Sequence, residues 1–313
     1  MVTTAPDTSP QLALTGLSGF VGSAVAGDLA SRFALLDLYH RTPVSGDVAS
    51  NTVQLRDDMI EDGVHAVHRW GAIALINIGA AADVDACEHE RDDRDGGVYR
   101  ANVSVPRRLA VACAELGLRY VHVSTDYVFD GEGGPYREGD VPTAAANWYG
   151  QTKLDGERAI LDVNPAAAII RLSLPYGPEH PSKRDIVRLI RSRLSVGQTF
   201  AGVVDQFITP TWLGDIAAGL AAVATSAGTG IYHLAGATIL SPYDAALIVA
   251  RTFGLDERLV QPSTLAAITQ AGRAPRPRVT ALLETRMQRE FGPEFRLKGF
   301  AEGVGLLRGN LSS

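Results

Sequence analysis

The chain has 313 residues, a formal net charge of −6, 46% hydrophobic residues and only 7% aromatic ones. This length suits two domains or one large α/β domain, and the apolar content is that of an ordered globular chain. The negative charge argues against a nucleic-acid partner, because phosphate neutralisation needs clustered cations and the nearest approach to a cluster is Arg273, Arg276 and Arg278.

Cys87 and Cys113 are the only cysteines. They make neither a disulfide framework nor a metal site, which points to a reducing cytosol. No apolar run reaches the roughly 18 residues of a membrane span, and Met1 to Pro10 has neither the basic nor the apolar region of a signal peptide. The expectation is a soluble cytoplasmic protein with no membrane partner. The 29 basic residues include only three lysines, Lys153, Lys183 and Lys298. Such scarcity reads at first as a codon-composition bias.

In chain order, Gln11 to Thr15 reads as a buried strand that runs into Gly16-Leu17-Ser18-Gly19-Phe20-Val21-Gly22 and then a helix to about Ser31. Strands are expected at Phe33 to Tyr39, Ala72 to Ile78, Tyr120 to Ser124 and Ala167 to Leu172. Helices are expected at Met59 to Arg69 and Val105 to Leu116, the latter ended by Gly117. Strands alternating with helices predict βαβ units, hence an α/β fold with a doubly wound parallel sheet. After Pro175 the alternation weakens. Helices are predicted at Arg184 to Leu194, Asp215 to Thr225, Pro242 to Phe253 and Thr264 to Ala271, with a strand at Ile231 to Leu234 and an irregular last forty residues. Residues 1–172, joined by about 204–236, form the expected nucleotide-binding domain. Residues 173–313 are mainly a smaller, irregular α/β substrate-binding lobe.

Gly16, Gly19 and Gly22 stand between a strand and a helix, the context in which this spacing binds a dinucleotide. The first allows the tight turn, the second lets the backbone approach a pyrophosphate, and the third lets helix pack on strand. Ser18, Phe20 and Val21 belong to the same turn. Asp37 lies inside the second strand, and the residues just past it are His40 and Arg41, which favour the 2′-phosphate of NADP(H), with NAD(H) as the alternative. Asp57, in Arg56-Asp57-Asp58, is a candidate for the adenine edge.

Tyr149 and Lys153 stand at i and i+4 in a helical stretch running to Leu161, on one helix face. A cation beside a phenol favours the phenolate and makes a tunable proton donor. In a chain with three lysines this pairing is a rare coincidence, so the scarcity that looked like bias becomes evidence for Lys153. Ser124 and Thr125 end a strand on the side where open α/β sheets bind ligands, and Thr125 is placed to hydrogen-bond the carbonyl oxygen that Tyr149 protonates.

Thr15-Gly16-x-x-Gly19-x-x-Gly22 with Tyr149-x-x-x-Lys153 resembles the extended short-chain dehydrogenase/reductase superfamily. Ser124-Thr125-Asp126-Tyr127-Val128-Phe129-Asp130-Gly131 and Pro135-Tyr136-x-Glu138-x-Asp140 resemble, more narrowly, the dTDP-4-dehydrorhamnose reductase group. Asn77 to Ala82 with Val84-Asp85 is similar to its fourth-strand segment, and Asn102 to an asparagine kept near the active site. Arg171 to Gly177, Asp205-Gln206 with Pro210-Thr211, and Arg276-Pro277 follow in the family's order, so that the likeness spans Leu12 to Leu307.

The resemblance implies reduction of the 4-keto group of a nucleotide-linked deoxysugar by NAD(P)H. Tyr149 would protonate the oxygen, Thr125 polarise it, and Lys153 hold the cofactor ribose and acidify Tyr149. Ala80, Ala81, Asn102, Ser124 and Leu174 would complete the cofactor site. Asp126, Tyr127, Asp205, Gln206 and Arg276 would hold the sugar, and a homodimer is implied. Two departures, Arg276-Pro277-Arg278-Val279 for Arg-Pro-x-Asn and Leu174-Pro175-Tyr176 for Trp-Val-Tyr, together with the loop Pro178 to Lys183, turn the expectation from a rhamnose-pathway substrate towards another sugar or ketone. The same signature resembles the regulatory beta subunit of methionine adenosyltransferase, an NADP-binding partner subunit. A nucleotide-sugar epimerase or dehydratase is the third reading, with Asp126 at the position where dehydratases carry an acid.

Overall fold

A computed structural model describes residues 9–44, 48–178, 184–269, 273–293 and 295–309. Its first half runs β1 (Gln11–Thr15), α1 (Phe20–Ala30), β2 (Ala34–Tyr39), β3 (Asn51–Gln54), α2 (Ile60–Trp70), β4 (Ala74–Asn77), α3 (Val84–Glu88), α4 (Gly97–Tyr99), α5 (Val105–Glu115), β5 (Arg119–Thr125), α6 (Trp148–Val163) and β6 (Ala168–Leu172). The second half adds β7 (Pro175–Tyr176), α7 (Ile186–Leu194), β8 (Phe200–Val203), β9 (Thr211–Trp212), α8 (Leu213–Ala224), β10 (Gly230–Leu234), α9 (Pro242–Phe253), β11 (Val260–Ser263), α10 (Leu265–Ile268), α11 (Arg286–Phe291) and α12 (Phe300–Gly309).

Seven strands form one sheet in the order β10-β6-β5-β4-β1-β2-β3, every pair parallel. Its inner strands β1, β4 and β6 are mostly apolar because both faces are covered, whereas the edge strand β3 is polar and exposed. On one face α1 and α8 pack through Val25, Leu29, Ile216 and Leu220; on the other, α2, α5 and α6 pack through Val64, Val67, Leu109 and Ile160. The strand order reverses between β1 and β4, which opens a crevice at their carboxyl ends. A third core, with Tyr176, Ile190, Val249 and Phe300, holds the second-half lobe together.

The second half contains more order than its sequence suggests. β8 and β11 pair in parallel, as do β7 and β9, and none of these four short strands was expected. The last forty residues are not irregular throughout: α11 and α12 occupy them. Phe300, Gly303 and Val304 put α12 on the lobe core at helical spacing. Glycines at 303, 305 and 309 weaken the local helix signal there, but a Cβ on Gly303 would stand 2.0 Å from the Tyr176 hydroxyl, so that close approach requires glycine. The helix expected at Thr264 to Ala271 is a single turn, Leu265–Ile268, and Ala271 lies outside the described residues. Residues 179–183 of the departing loop also lie outside them.

Candidate active site

The crevice at the switch point is a cleft of about 720 Å³ lined by the glycine turn, the ends of β1, β2 and β4, and the π-helical turn Arg100–Ser104 before α5. Gly16 has φ +74°, and a Cβ there would lie 2.6 Å from the Gly79 nitrogen. A Cβ on Gly22 would lie 2.1 Å from the Gly16 carbonyl oxygen, which is where α1 closes onto the turn. Gly22→Ala is therefore expected to destabilise the fold by about 1–3 kcal/mol, read from denaturant midpoints. Gly19, the N-cap of α1, supplies no side-chain cap, and the positive end of the helix suits an anionic ligand.

Gly16, Ser18, His40, Arg41, Asp57, Ala80 and Ala81 all line this cleft. Gly19, Phe20, Val21 and Gly22 form the first turn of α1 beside it, and Phe20 and Val21 rest on the core. His40 and Asp57 bond at 2.7 Å across the far end, with Arg100 4.0 Å from the same carboxylate. Asp37 is buried in the wall; its Oδ2 accepts from Val44 N–H, while Oδ1 has no partner among the described residues. An anion-receptive helix end, cations beyond β2 and an unpartnered acceptor fit a phosphorylated dinucleotide.

The candidate proton-handling residues lie where β5 meets α6. Thr125 ends β5 and donates to Asp126 Oδ1 at 3.0 Å, and its hydroxyl stands beside the Tyr149 phenol. Tyr149 and Tyr127 meet edge to face, centroids 6.1 Å apart. Asn147 caps α6 by accepting from Gly150 N–H at 2.9 Å, which fixes the turn carrying Tyr149. Asn102 braces the same helix. Its amide exchanges two hydrogen bonds with Ala81 and donates to Thr152, and its position comes from the π-turn. The loop that lines the cleft and the helix that carries Tyr149 thus share one clamp.

Burial pushes the Tyr149 phenol up, opposed by the Thr125 hydroxyl. Lys153 does not reach that phenol here: Nζ donates to Val123 C=O at 2.8 Å and meets His122 Nε2 at 3.0 Å. Burial lowers Lys153 to about 8. Asp126 is pushed up to about 6 by burial, against the bond it accepts from Ser173 at 2.8 Å.

The remaining candidates divide. Tyr127 stays beside Tyr149, and burial raises it to about 12. Arg276 pairs with Asp85 at 2.9 Å, and Asn147 donates to Pro275 C=O, so the 273–280 segment closes over the α6 end. Leu174 follows β6 with φ +38° and accepts from Thr211 N–H. The other three are engaged elsewhere. Ser124 donates to Glu157 at 2.5 Å, Asp205 accepts from Leu265 N–H, and Gln206 donates to Pro277 C=O. The sequence reading missed His122, Thr15, Arg100 and Ser173. A histidine and an asparagine within the apolar runs of β5 and β4 were the available signal for the buried pair His122 and Asn77.

A doubly wound parallel sheet with a glycine turn at its switch point and a threonine-tyrosine-lysine group beside it defines an oxidoreductase of the short-chain dehydrogenase/reductase class. The chain belongs to the RmlD substrate binding domain family, whose model matches residues 11–305. It is similar to the "Probable low-salt glycan biosynthesis reductase Agl14" of Haloferax volcanii, with 32% identity over 89% of this chain and 91% of that protein. The dTDP-4-dehydrorhamnose reductase of Mycobacterium tuberculosis is 33% identical over 88% of this chain and 85% of its own length. The beta subunit of methionine adenosyltransferase 2 of Pongo abelii is 29% identical over 67% of this chain and 63% of its own. In fold, the crystal structure of dTDP-4-dehydrorhamnose reductase from Bacillus anthracis in complex with NADP matches with a TM-score of 0.80 and 21% identity, covering 99% of this chain and 100% of that one.

Proposed function

We propose that the chain reduces the 4-keto group of a nucleotide-linked deoxysugar, with NADPH preferred and NADH as the alternative. The observation that carries this reading is the convergence of Thr125 and Tyr149 beside the glycine-turn cleft, in a chain whose relatives include dTDP-4-dehydrorhamnose reductases. Residues 1–172 with about 204–236 make the cofactor half in this reading, and 173–313 mainly the substrate lobe.

Gly16, Ser18, Gly19 and Gly22 would hold the pyrophosphate, Ala80 and Ala81 the middle of the dinucleotide, and His40, Arg41 and Arg100 a 2′-phosphate. Bound in the cleft, the reduced nicotinamide supplies the hydride. Tyr149 gives its proton to the carbonyl oxygen, and the Thr125 hydroxyl beside it, turning its proton from Asp126 to that oxygen, stabilises the charge building there. A phenol held protonated by burial is a donor ready in the neutral range. Asp126, Tyr127 and Arg276 face the sugar side. Asp205 and Gln206 shape the lobe that approaches it.

The test is NADPH oxidation by purified protein with 4-keto-6-deoxy sugars on dTDP, UDP and GDP. No turnover with any of them, together with tight dinucleotide binding, would favour a regulatory subunit instead. Arg41→Ala is expected to weaken NADPH binding about tenfold, the loss of one charge-assisted contact, and to leave NADH binding unchanged. Titrations of both cofactors check this, and equal losses would remove Arg41 from the 2′-phosphate site. A cytoplasmic setting and a homodimer complete the proposal. Among the described residues no helix is long and apolar enough to cross a membrane.

A further inference from the structure

A buried chain of hydrogen bonds runs from the cofactor cleft under the sheet to Lys153, and its two ends are fixed by backbone groups. Gly79 N–H donates to Thr15 Oγ1 at 3.1 Å, and Thr15 donates to Asn77 Oδ1 at 2.5 Å. Asn77 Nδ2 donates to the Tyr120 hydroxyl at 3.1 Å and meets His122 Nδ1 at 3.0 Å. Tyr120 has one proton, and it goes to Pro106 C=O at 3.2 Å. Thr15, Asn77, Tyr120, His122 and Lys153 are all at most 5% exposed, so bulk water does not reach these bonds.

Donor and acceptor accounting then sets the direction of the chain. Because Tyr120 gives its proton to a carbonyl, Asn77 must present its NH2 group there. The second amide proton points at His122 Nδ1, which must be bare. The imidazole proton therefore sits on Nε2, aimed at Lys153 Nζ. An N–H finds a partner in the lone pair of an amine and none in an ammonium. The opposite arrangement, with the Asn77 amide turned over, would leave a Thr15 proton and an amide proton unpaired in a buried site.

We propose that His122 is a positioning residue for the charge of Lys153: locked by Asn77 with its proton on Nε2, it offers that lysine a donor and so favours release of the lysine proton. The surrounding charges leave this role to His122. Glu157, one turn along α6, favours an ammonium but is neutralised by Arg171 of β6 at 2.7 Å. Tyr149 of α6, Tyr120 of β5 and Cys113 of α5 are kept uncharged by burial. Asp126, after β5, is engaged by Thr125 and Ser173, and Glu88 of α3 by Trp148 N–H and Arg91. The consequence for keto reduction rests on the function proposed above, since the ammonium is the form that favours the Tyr149 phenolate. The structural claim does not rest on it, and its test uses neither cofactor nor substrate.

With three lysines in the chain, lysine-selective isotope labelling gives three side-chain NMR signals, and Lys153→Met assigns the one of interest. The wild-type Lys153 signal should titrate near 8. His122→Phe removes the donor while keeping the site apolar, and is expected to raise that midpoint by about 1 pH unit. If His122 instead accepted from an ammonium, the same substitution would lower the midpoint. A fall or no change overturns the proposal. Long-range 1H–15N correlation of the wild-type imidazole at pH 9 reads the tautomer without any variant fold: a proton on Nε2 supports the proposal, and a proton on Nδ1 overturns it.

Discussion

Tyr149→Phe should lower keto-sugar reduction by at least about a hundredfold while cofactor binding stays intact, because general acid catalysis by one side chain contributes on that scale. The substitution removes one oxygen from a ring whose surroundings include Tyr127, edge-on, and the Thr125 hydroxyl. The Asn147 cap and the Asn102 clamp on Thr152 act on the backbone and on a neighbouring side chain, so α6 keeps its place. No other phenol stands in for the lost one. Tyr127 is nearest, but its ring lies 6.1 Å from that of Tyr149 at 66°, in a different position and orientation. Single-turnover NADPH oxidation separates the chemical step from binding, and a thermal-shift titration with NADP checks the cofactor site. Unchanged reduction in the variant would remove Tyr149 from the reaction.

The second large effect is on stability. Glu157 and Arg171, both at most 3% exposed, pair at 2.7 Å between α6 and β6, and Ser124 donates to the same carboxylate. The guanidinium also lies 5.0 Å from the Phe129 ring centroid, while its Nη1 has no partner among the described residues. Glu157→Ala leaves this cation buried without its counter-charge, which should destabilise the fold by about 3–5 kcal/mol and lower Tm by on the order of 10 °C. Ser124→Ala should remove less, about 1.5–3 kcal/mol for one hydrogen bond to a charged group, since the ion pair remains. Replacing both charged partners by apolar residues of similar volume is expected to recover most of the loss, because the penalty comes from one unpaired charge. Denaturant unfolding of the three variants distinguishes these cases. A small loss for Glu157→Ala would mean that water reaches the pair.

These two effects differ in how visible they were beforehand. The Tyr149–Lys153 spacing and the strand-turn-helix setting of Gly16 to Gly22 are local patterns, and local periodicity survives in a sequence. The parallel sheet followed from the same alternation. Glu157 and Arg171, by contrast, are an ordinary acid and base until β6 is laid beside β5 and under α6. Their partnership depends on which strands are neighbours, and sequence spacing does not encode that. The same holds for β7 to β9 and β11, whose two- to four-residue lengths carry too little pattern, and for α12, where glycines needed for close packing weaken the helix signal.

Within the site, residue types determined the chemistry and tertiary packing determined the contacts. Scarcity of lysine singled out Lys153, and its i+4 spacing put it on the face of Tyr149. Only the fold decided that its amine turns inward to Val123 and His122, because β5 presents a carbonyl and an imidazole where the helix face meets the sheet. Likewise, the sequence by itself determined that β1 ends in a glycine turn able to receive a phosphate. That Arg100, far along the chain from the adjacent His40 and Arg41, lines the same end of the cleft was decided by the reversal of strand order between β1 and β4. Spacing along a chain fixes neighbours within a helix or a turn; neighbours across a sheet exist only once backbone hydrogen bonds have chosen the order and register of its strands.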